Sequence, residues 1–315
     1  MKVSKTTKLI AGATAALALV GALTACGRGD DAGSADGEQV TLALSTLANP
    51  FFVDVRDGAQ DAAADLGINL QVVDAQDDSS TQADQIANAV TGGAAGIIIN
   101  AVDSDAAGAA VTPAIDADLP VVGVDRAVNG VDITSMVSSD NFAGGRQAAQ
   151  ALAAAIGEQG KVIVLQGVAG TSASRDRGQG FSEGIAEFPG IEVVAMQTAN
   201  FNRAEGLDVA TNLLQANPDV VGIFAENDEM ALGAIQALGD RAGRDVFVVG
   251  FDGTDEGLQA VEAGTMEATI AQQPGELGRQ AVELMAQILA GETVANDVPV
   301  AVQTVTKDNV GDFLQ

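Results

Sequence analysis

From Val40 onward, short runs of β-branched and apolar residues alternate with longer, Ala-rich stretches of helical period. This alternation restricts the possible folds more than any other feature. The runs fall at residues 40–44, 70–73, 96–100 and 120–124, then at 161–165, 191–195, 220–224 and 246–250. Between them lie helical patterns at 53–66, 82–91, 105–117, 144–156, 178–187, 204–216 and 228–238. A strand that is apolar throughout is buried on both faces, so runs of this kind separated by helices predict parallel strands between helical layers. The pattern also repeats. The stretch Gly-Ile-Ile-Ile-Asn-Ala-Val-Asp beginning at Gly96 returns in type as Gly-Ile-Phe-Ala-Glu-Asn-Asp at Gly222, and Val-Val-Gly-Val-Asp at Val121 returns as Val-Val-Gly-Phe-Asp at Val248, with the same offset to within one residue. The expected fold is therefore α/β, with two similar doubly wound parallel-sheet lobes.

Residues 1–25 are set aside from fold reasoning. Lys2, Lys5 and Lys8 form a basic start, the stretch from Leu9 to Ala25 carries no charge, and small residues precede Cys26. That order is the pattern of an export leader. Leu23-Thr24-Ala25-Cys26 resembles the lipobox of bacterial lipoproteins, which implies lipidation of Cys26, the chain's single cysteine. The apolar stretch lies at the short limit for crossing a bilayer. Residues 26–38 are small and polar and read as a flexible tether. The expected location is extracytoplasmic, held at the cell membrane by a lipid on Cys26. With one cysteine, disulfides contribute nothing to stability.

Composition narrows the chemistry. The formal net charge is −28, and such a surface repels phosphate backbones, so nucleic acid is not an expected partner. The chain has no His, which removes the commonest general base and most zinc sites. Trp and Tyr are absent as well, so aromatic ligand contacts fall to the ten Phe. Residues 74–85 have a passing likeness to a calcium loop, but Ser79 replaces the turn glycine and Gln85 the final glutamate. No metal or cofactor is expected there.

In doubly wound sheets ligands bind beyond the carboxyl ends of the strands. Those ends carry Ser45 to Phe52, Asp125-Arg126, Thr171 to Arg177, Asn227-Asp228 and Asp252-Gly253. The set suits a neutral polyol: carboxylates accept from hydroxyls, guanidinium groups donate, amides do both, and aromatic rings cover the C–H faces of a sugar. Bland readings stand beside each. Asp125 and Asp252 could be helix caps or turn residues, and Phe51 and Phe52 could be plain core. Arg175 and Arg177 are two apart on a helix start, so they cannot both face one cleft.

At Ser45-Thr46-Leu47, Asn49-Pro50-Phe51-Phe52, Val124-Asp125-Arg126, Gly170-Thr171-Ser172-Ala173, Asn227-Asp228-Glu229-Met230-Ala231, Gly250-Phe251-Asp252-Gly253 and Thr269-Ile270-Ala271-Gln272, the chain resembles the ribose-binding members of the pentose and hexose family of bacterial periplasmic binding proteins. The resemblance covers residues 40–305. It implies the type I fold of that family, with one lobe from 39–138 plus 274–299 and the other from 141–271 plus 302–315. A three-strand hinge is implied near 138–140, 272–274 and 300–302. Carried over position by position, the implied sugar contacts are Ser45, Asn49, Phe51, Phe52, Asp125, Arg126, Arg177, Phe201, Asn227, Asp252 and Gln272. Phe at the aromatic positions favours ribose over hexoses, for which relatives typically use Trp. The implied role is capture of a monosaccharide by hinge closure and delivery, as a monomer, to an ABC permease and its ATPase, with no catalysis. Other readings stay open: another pentose, a sugar alcohol or a furanose-like signal molecule on the same fold; a glycosidase using Asp125 and Asp252; or a sugar-responsive repressor, which would need a basic headpiece where this chain has a leader and an acidic tether.

Overall fold

The computed structural model describes residues 38–314; the leader, Cys26 and most of the tether lie outside the described residues. The first half of the chain runs β1 (Gln39–Leu44), α1 (Pro50–Leu66), β2 (Asn69–Asp74), α2 (Ser79–Thr91), β3 (Gly96–Ile99), α3 (Ser104–Asp116), β4 (Val121–Val124) and β5 (Ser135–Ser139). The second half runs α4 (Asn141–Ala155), β6 (Gln159–Gln166), α5 (Ser172–Ile185), β7 (Gly190–Thr198), α6 (Arg203–Ala216), β8 (Val220–Ala225), α7 (Asp228–Leu238), β9 (Phe247–Asp252), α8 (Asp255–Ala263) and β10 (Ala268–Ala271). Then follow α9 (Pro274–Leu289), β11 (Asp297–Val300) and β12 (Gln303–Thr306).

The strands form two sheets, β11-β5-β4-β3-β1-β2 and β12-β10-β9-β8-β6-β7. All neighbours are parallel except β10 and β12. Each sheet repeats one winding order, with the direction reversing beside β1 and β6, and such reversal points open a crevice at the strand ends. The repeat read in the sequence is thus a repeat of lobes. Its physical basis is visible in the core: Ile97 and Ile99 pack on one face of the first sheet and Ile98 on the other. Val162 and Val164 face one side of the second sheet, Ile163 and Leu165 the other.

Several elements had no counterpart among the apolar runs. Strand β5 reads Ser-Met-Val-Ser-Ser, β11 contains Pro299 and sits at an edge of the first sheet, and β12 reads Gln-Thr-Val-Thr at an edge of the second. Edge strands tolerate Pro and polar residues because one side of their backbone needs no partner. Helices α8 and α9 and the short β10 also escaped that reading. Four helices start three or more residues earlier than their apolar periodicity suggests, because polar caps set the starts: Asn49 accepts from the Phe51 N–H ahead of α1, Asp78 from the Thr81 N–H ahead of α2, Asp140 from the Ala143 N–H ahead of α4, and Thr171 from the Ser174 N–H ahead of α5.

The chain passes between the sheets at Asp140, at Gln272-Gln273 and at Ala301-Val302. Because of these crossings α9 returns to cover the first sheet, burying Leu277, Ala281, Val282 and Met285 against Val122, Val124 and Val137. Helix α9 crosses α1 with almost no gap: a Cβ on Gly278 would overlap the Val55 carbonyl oxygen, and one on Gly58 the Gly275 carbonyl. Backbone atoms cannot rotate away as a side chain can. Gly278→Val is therefore expected to lower unfolding stability by about 2–3 kcal/mol, read as an earlier urea midpoint. An unchanged midpoint would mean that the crossing is looser than described.

Candidate functional site

The carboxyl ends of both sheets face a narrow cavity of about 10 Å³, far below the roughly 300–1,000 Å³ typical of pockets for drug-sized ligands. One lobe supplies Asn49, Phe51, Phe52, Asp125 and Arg126; the other supplies Ala173, Arg177, Phe201, Asn227 and Asp252. A wider pocket shares Asn49, Phe52, Arg126 and Phe201 with it. The rims of the lobes touch at hydrogen bonds from the Ser104 N–H to the Gly170 carbonyl (3.1 Å), from the Ser172 N–H to Ser104 Oγ (3.0 Å), and from the Ala127 N–H to Ser172 Oγ (2.8 Å).

The matched acids at the ends of β4 and β9 are not helix caps; the next helices along the chain, α4 and α8, are capped by Asp140 and Thr254. Asp125 and Asp252 instead hold positive φ angles of 65° and 120°, and Phe201 one of 57°. These conformations are strained for residues with a Cβ, and strain of this kind gathers at functional sites.

Asp125 Oδ2 accepts from Asn100 Nδ2 at 3.1 Å and lies 3.8 Å from Arg126 Nε, while its buried Oδ1 has no protein partner. Arg126 donates from Nη1 to the Ala101 carbonyl at 3.1 Å, packs its guanidinium 5.1 Å from the Phe52 ring centre, and has an unpartnered Nε. Arg177 is anchored more heavily. Nε donates to Asn141 Oδ1 at 2.8 Å, and Nη1 donates to the Glu226 carbonyl at 2.6 Å and to Asp252 Oδ1 at 3.3 Å. Its guanidinium carbon lies 3.8 Å from the Phe251 ring centre. Arg175 sits half-exposed on the surface, 3.8 Å from Asp105. Asn49 and Asn227 use Oδ1 to cap α1 and α7, so capping and cavity lining coexist in one side chain. Phe51 and Phe52 meet edge to face at 5.2 Å.

Two of the residues expected at the site stand outside the cavity lining. Ser45 is buried at the end of β1, where its N–H donates to Asn100 Oδ1. Gln272 lies behind Asp252, donating from Nε2 to Asp252 Oδ1 at 2.7 Å. Asp228 turns inward and accepts from Thr269 Oγ1 and from the Gly253 and Thr254 N–H groups. The supporting residues Asn100, Asn141 and Glu226 were not singled out by sequence reasoning. The repeated segments beginning at Gly96 and Gly222 carry Asn100 and Glu226 at equivalent positions, and that was the available signal.

Burial dominates the electrostatics. It raises the pKa of Asp252 to about 8, against the lowering effect of Arg177 and the Gln272 hydrogen bond. It raises Glu226 to about 7 and Asp228 to about 6, and it pushes Asp125 upward despite Arg126 and Arg177. Among the described residues, no group of His, Cys, Asp and Glu is arranged to hold a metal.

The fold and cavity define a two-lobed ligand-binding protein with its site between the lobes. Residues 40–293 match the periplasmic binding protein domain family, and the chain belongs to that family. It is 46% identical to the ribose import binding protein RbsB of Salmonella typhimurium over 270 residues, 86% of this chain and 91% of that protein. Among solved structures it is similar to an ABC transporter solute binding protein from Bacillus halodurans with bound myo-inositol (TM-score 0.84, 31% identity, covering 90% of this chain and 99% of that one). It is also similar to a periplasmic solute binding protein from Actinobacillus succinogenes with bound D-allose (TM-score 0.83, 32% identity, covering 87% and 99%).

An acid that is harder to ionise in the folded chain holds more protons there than in the unfolded chain, between its ordinary and its raised pKa. Stability then falls as pH rises through that interval. For Asp252 the interval runs from the ordinary carboxylate range up to about 8, and for Glu226 up to about 7. The ligand-free protein is expected to show a falling urea midpoint between about pH 5 and pH 8, with a shallower fall in Asp252→Asn. A midpoint that rises over this range would contradict the assignment.

Proposed function

We propose that this chain is the substrate-binding component of an ABC sugar importer. It captures a monosaccharide, ribose first among the candidates, by closing its lobes, and delivers it to a permease driven by an ATPase. The observation that carries this reading is the cavity itself, where an acceptor, Asp125 Oδ1, and a donor, Arg126 Nε, are buried without hydrogen-bond partners in the protein, beside the Phe52 ring. A buried polar group left unpaired costs about 1–3 kcal/mol, and more if charged, so a ligand that supplies hydroxyls there favours the closed arrangement. A neutral ring with several hydroxyls matches an acid and a guanidinium from one lobe and their counterparts, Asp252 and Arg177, from the other. The choice of ribose is supported by the identity to the Salmonella protein and by Phe at the aromatic positions.

The crossings at Asp140, Gln272-Gln273 and Ala301-Val302 would serve as the hinge, since a rotation there leaves both sheets intact. The lobes would then be the chain divisions expected from the sequence, 39–138 plus 274–299 and 141–271 plus 302–315. We place the protein outside the cytoplasm as a monomer, tethered through a lipid on Cys26, with no catalytic role. A second reading keeps the fold and cavity and changes the ligand to another pentose or a cyclic polyol, favoured by the myo-inositol held by the Bacillus halodurans relative.

Asp125→Ala and Asp252→Ala are each expected to weaken ribose binding at least about tenfold by calorimetric titration, with cooperative unfolding retained. Unchanged affinity in both variants would sink the site. A thermal-shift series over ribose, arabinose, xylose, allose, myo-inositol and glucose separates the two readings, and ribose is expected to give the largest shift.

A further inference from the structure

The tandem repeat sets Asn100 and Glu226 at the same point of the two sheets, each directly after the strand that neighbours the first strand of its lobe. Both accept from the backbone N–H that follows that first strand. Asn100 Oδ1 takes the Ser45 N–H at 3.3 Å, and Glu226 Oε2 takes the Gly167 N–H at 2.7 Å. Each then supports the charged group of its own lobe. Asn100 Nδ2 donates to Asp125. Glu226 accepts from Ser174 Oγ, one turn of α5 ahead of Arg177, and its backbone carbonyl accepts from Arg177 itself. A neutral amide thus braces an acid in one lobe, while in the other a glutamate braces the helix of a cation through Ser174 and holds the cation itself through its backbone carbonyl. Glu226 is completely buried, and its Oε1 has no protein partner.

We infer that Glu226 is a positioning residue for the cleft, whose buried carboxylate, tied to α5 through Ser174, steadies Arg177 and favours the closed arrangement. This rests on the sugar-binding reading above. In the closed arrangement Arg126 and Arg177 stand 5.6 and 5.7 Å from the same Phe201 ring centre, one from each lobe. Two guanidinium groups brought to one ring repel each other, and negative charge on Glu226, which interacts electrostatically with Arg177, offsets that repulsion. Arg177 of α5 is the charged group that acts directly on Glu226. Beyond it lie Asp252 of β9 and Asp228 of α7, and across the cleft Asp125 and Arg126. Burial lifts the Glu226 pKa to about 7, so protonation near neutrality removes that charge. A protonated Glu226 keeps its shape and loses its charge, which is the condition that Asn100 has permanently in the other lobe.

The test is calorimetric titration of ribose into the wild type and Glu226→Gln at about pH 8 and about pH 5.5. Glutamine keeps an oxygen for the Gly167 N–H and Ser174 and removes the charge. At pH 8 the variant is expected to bind about fivefold more weakly than the wild type, a difference that shrinks to within about twofold at pH 5.5. Titrations common to both proteins, such as those of Asp252 and Asp228, cancel in this ratio. Near pH 7 the wild type is also expected to release protons on binding ribose, measured from the dependence of the binding heat on buffer ionisation, and Glu226→Gln to release fewer. A ratio that does not change with pH, or equal proton release, would show a purely structural brace and overturn the inference. Absence of ribose binding by the wild type at either pH would overturn the sugar-binding reading, and this inference with it.

Discussion

Arg177 is a buried cation, and much of the C-terminal lobe is arranged around it. A guanidinium taken out of water is tolerable only with partners on every side. Asn141 holds Nε, the Glu226 carbonyl and Asp252 share Nη1, and the Phe251 ring covers one face. Those partners come from α4, β8 and β9, so the cation fixes the helix that follows the crossing at Asp140 against two strand ends. Asp252 is fixed in turn by Gln272, at the second crossing. The charge in the cavity and the passages between the lobes are therefore one connected set of hydrogen bonds.

The N-terminal lobe meets this arrangement with a lighter one. Asp125 and Arg126 are held from behind, by Asn100 and the Ala101 carbonyl, and each keeps an unpartnered polar atom. Groups pre-set in this way bind a neutral ligand without first reorganising, which reduces the cost of ordering the site. The rim contacts through Ser104, Ser172 and Ala127 add hydrogen bonds of about 1 kcal/mol each. Such bonds are too weak to hold the lobes together against rehydration of the buried ions. In this account the ligand supplies the remainder.

The fold was legible because its core strands are buried on both faces: three consecutive isoleucines, Ile97 to Ile99, can satisfy only a sheet covered by helices on both sides. The strands that escaped, β5, β11 and β12, are polar, edge-placed or interrupted by Pro299, and their pairing comes from partners far away in the chain. Helix α9 is amphipathic, but nothing local says that it covers the first sheet rather than the second. At the site, Asp125 and Asp252 stood out because the repeat marks them twice. The exclusion of Arg175 followed from helix geometry together with the family pattern. Ser45 and Gln272 share motifs with cavity residues but do not line the cavity, although each keeps a buried side-chain oxygen without a hydrogen-bond partner. Asn141 was invisible as a support because its role depends on Arg177, which is distant in sequence and reaches it only in the folded lobe, and Glu226 was marked only by the repeat.

The central claim is that a sugar hydroxyl completes the buried groups left open between the lobes. A crystal structure with ribose tests it most directly. The sugar ring is expected between Phe52 and Phe201, with oxygens in hydrogen-bond range of Asp125 Oδ1 and Arg126 Nε. A sugar seated elsewhere, or one in the cavity that leaves both atoms unpaired, would contradict it.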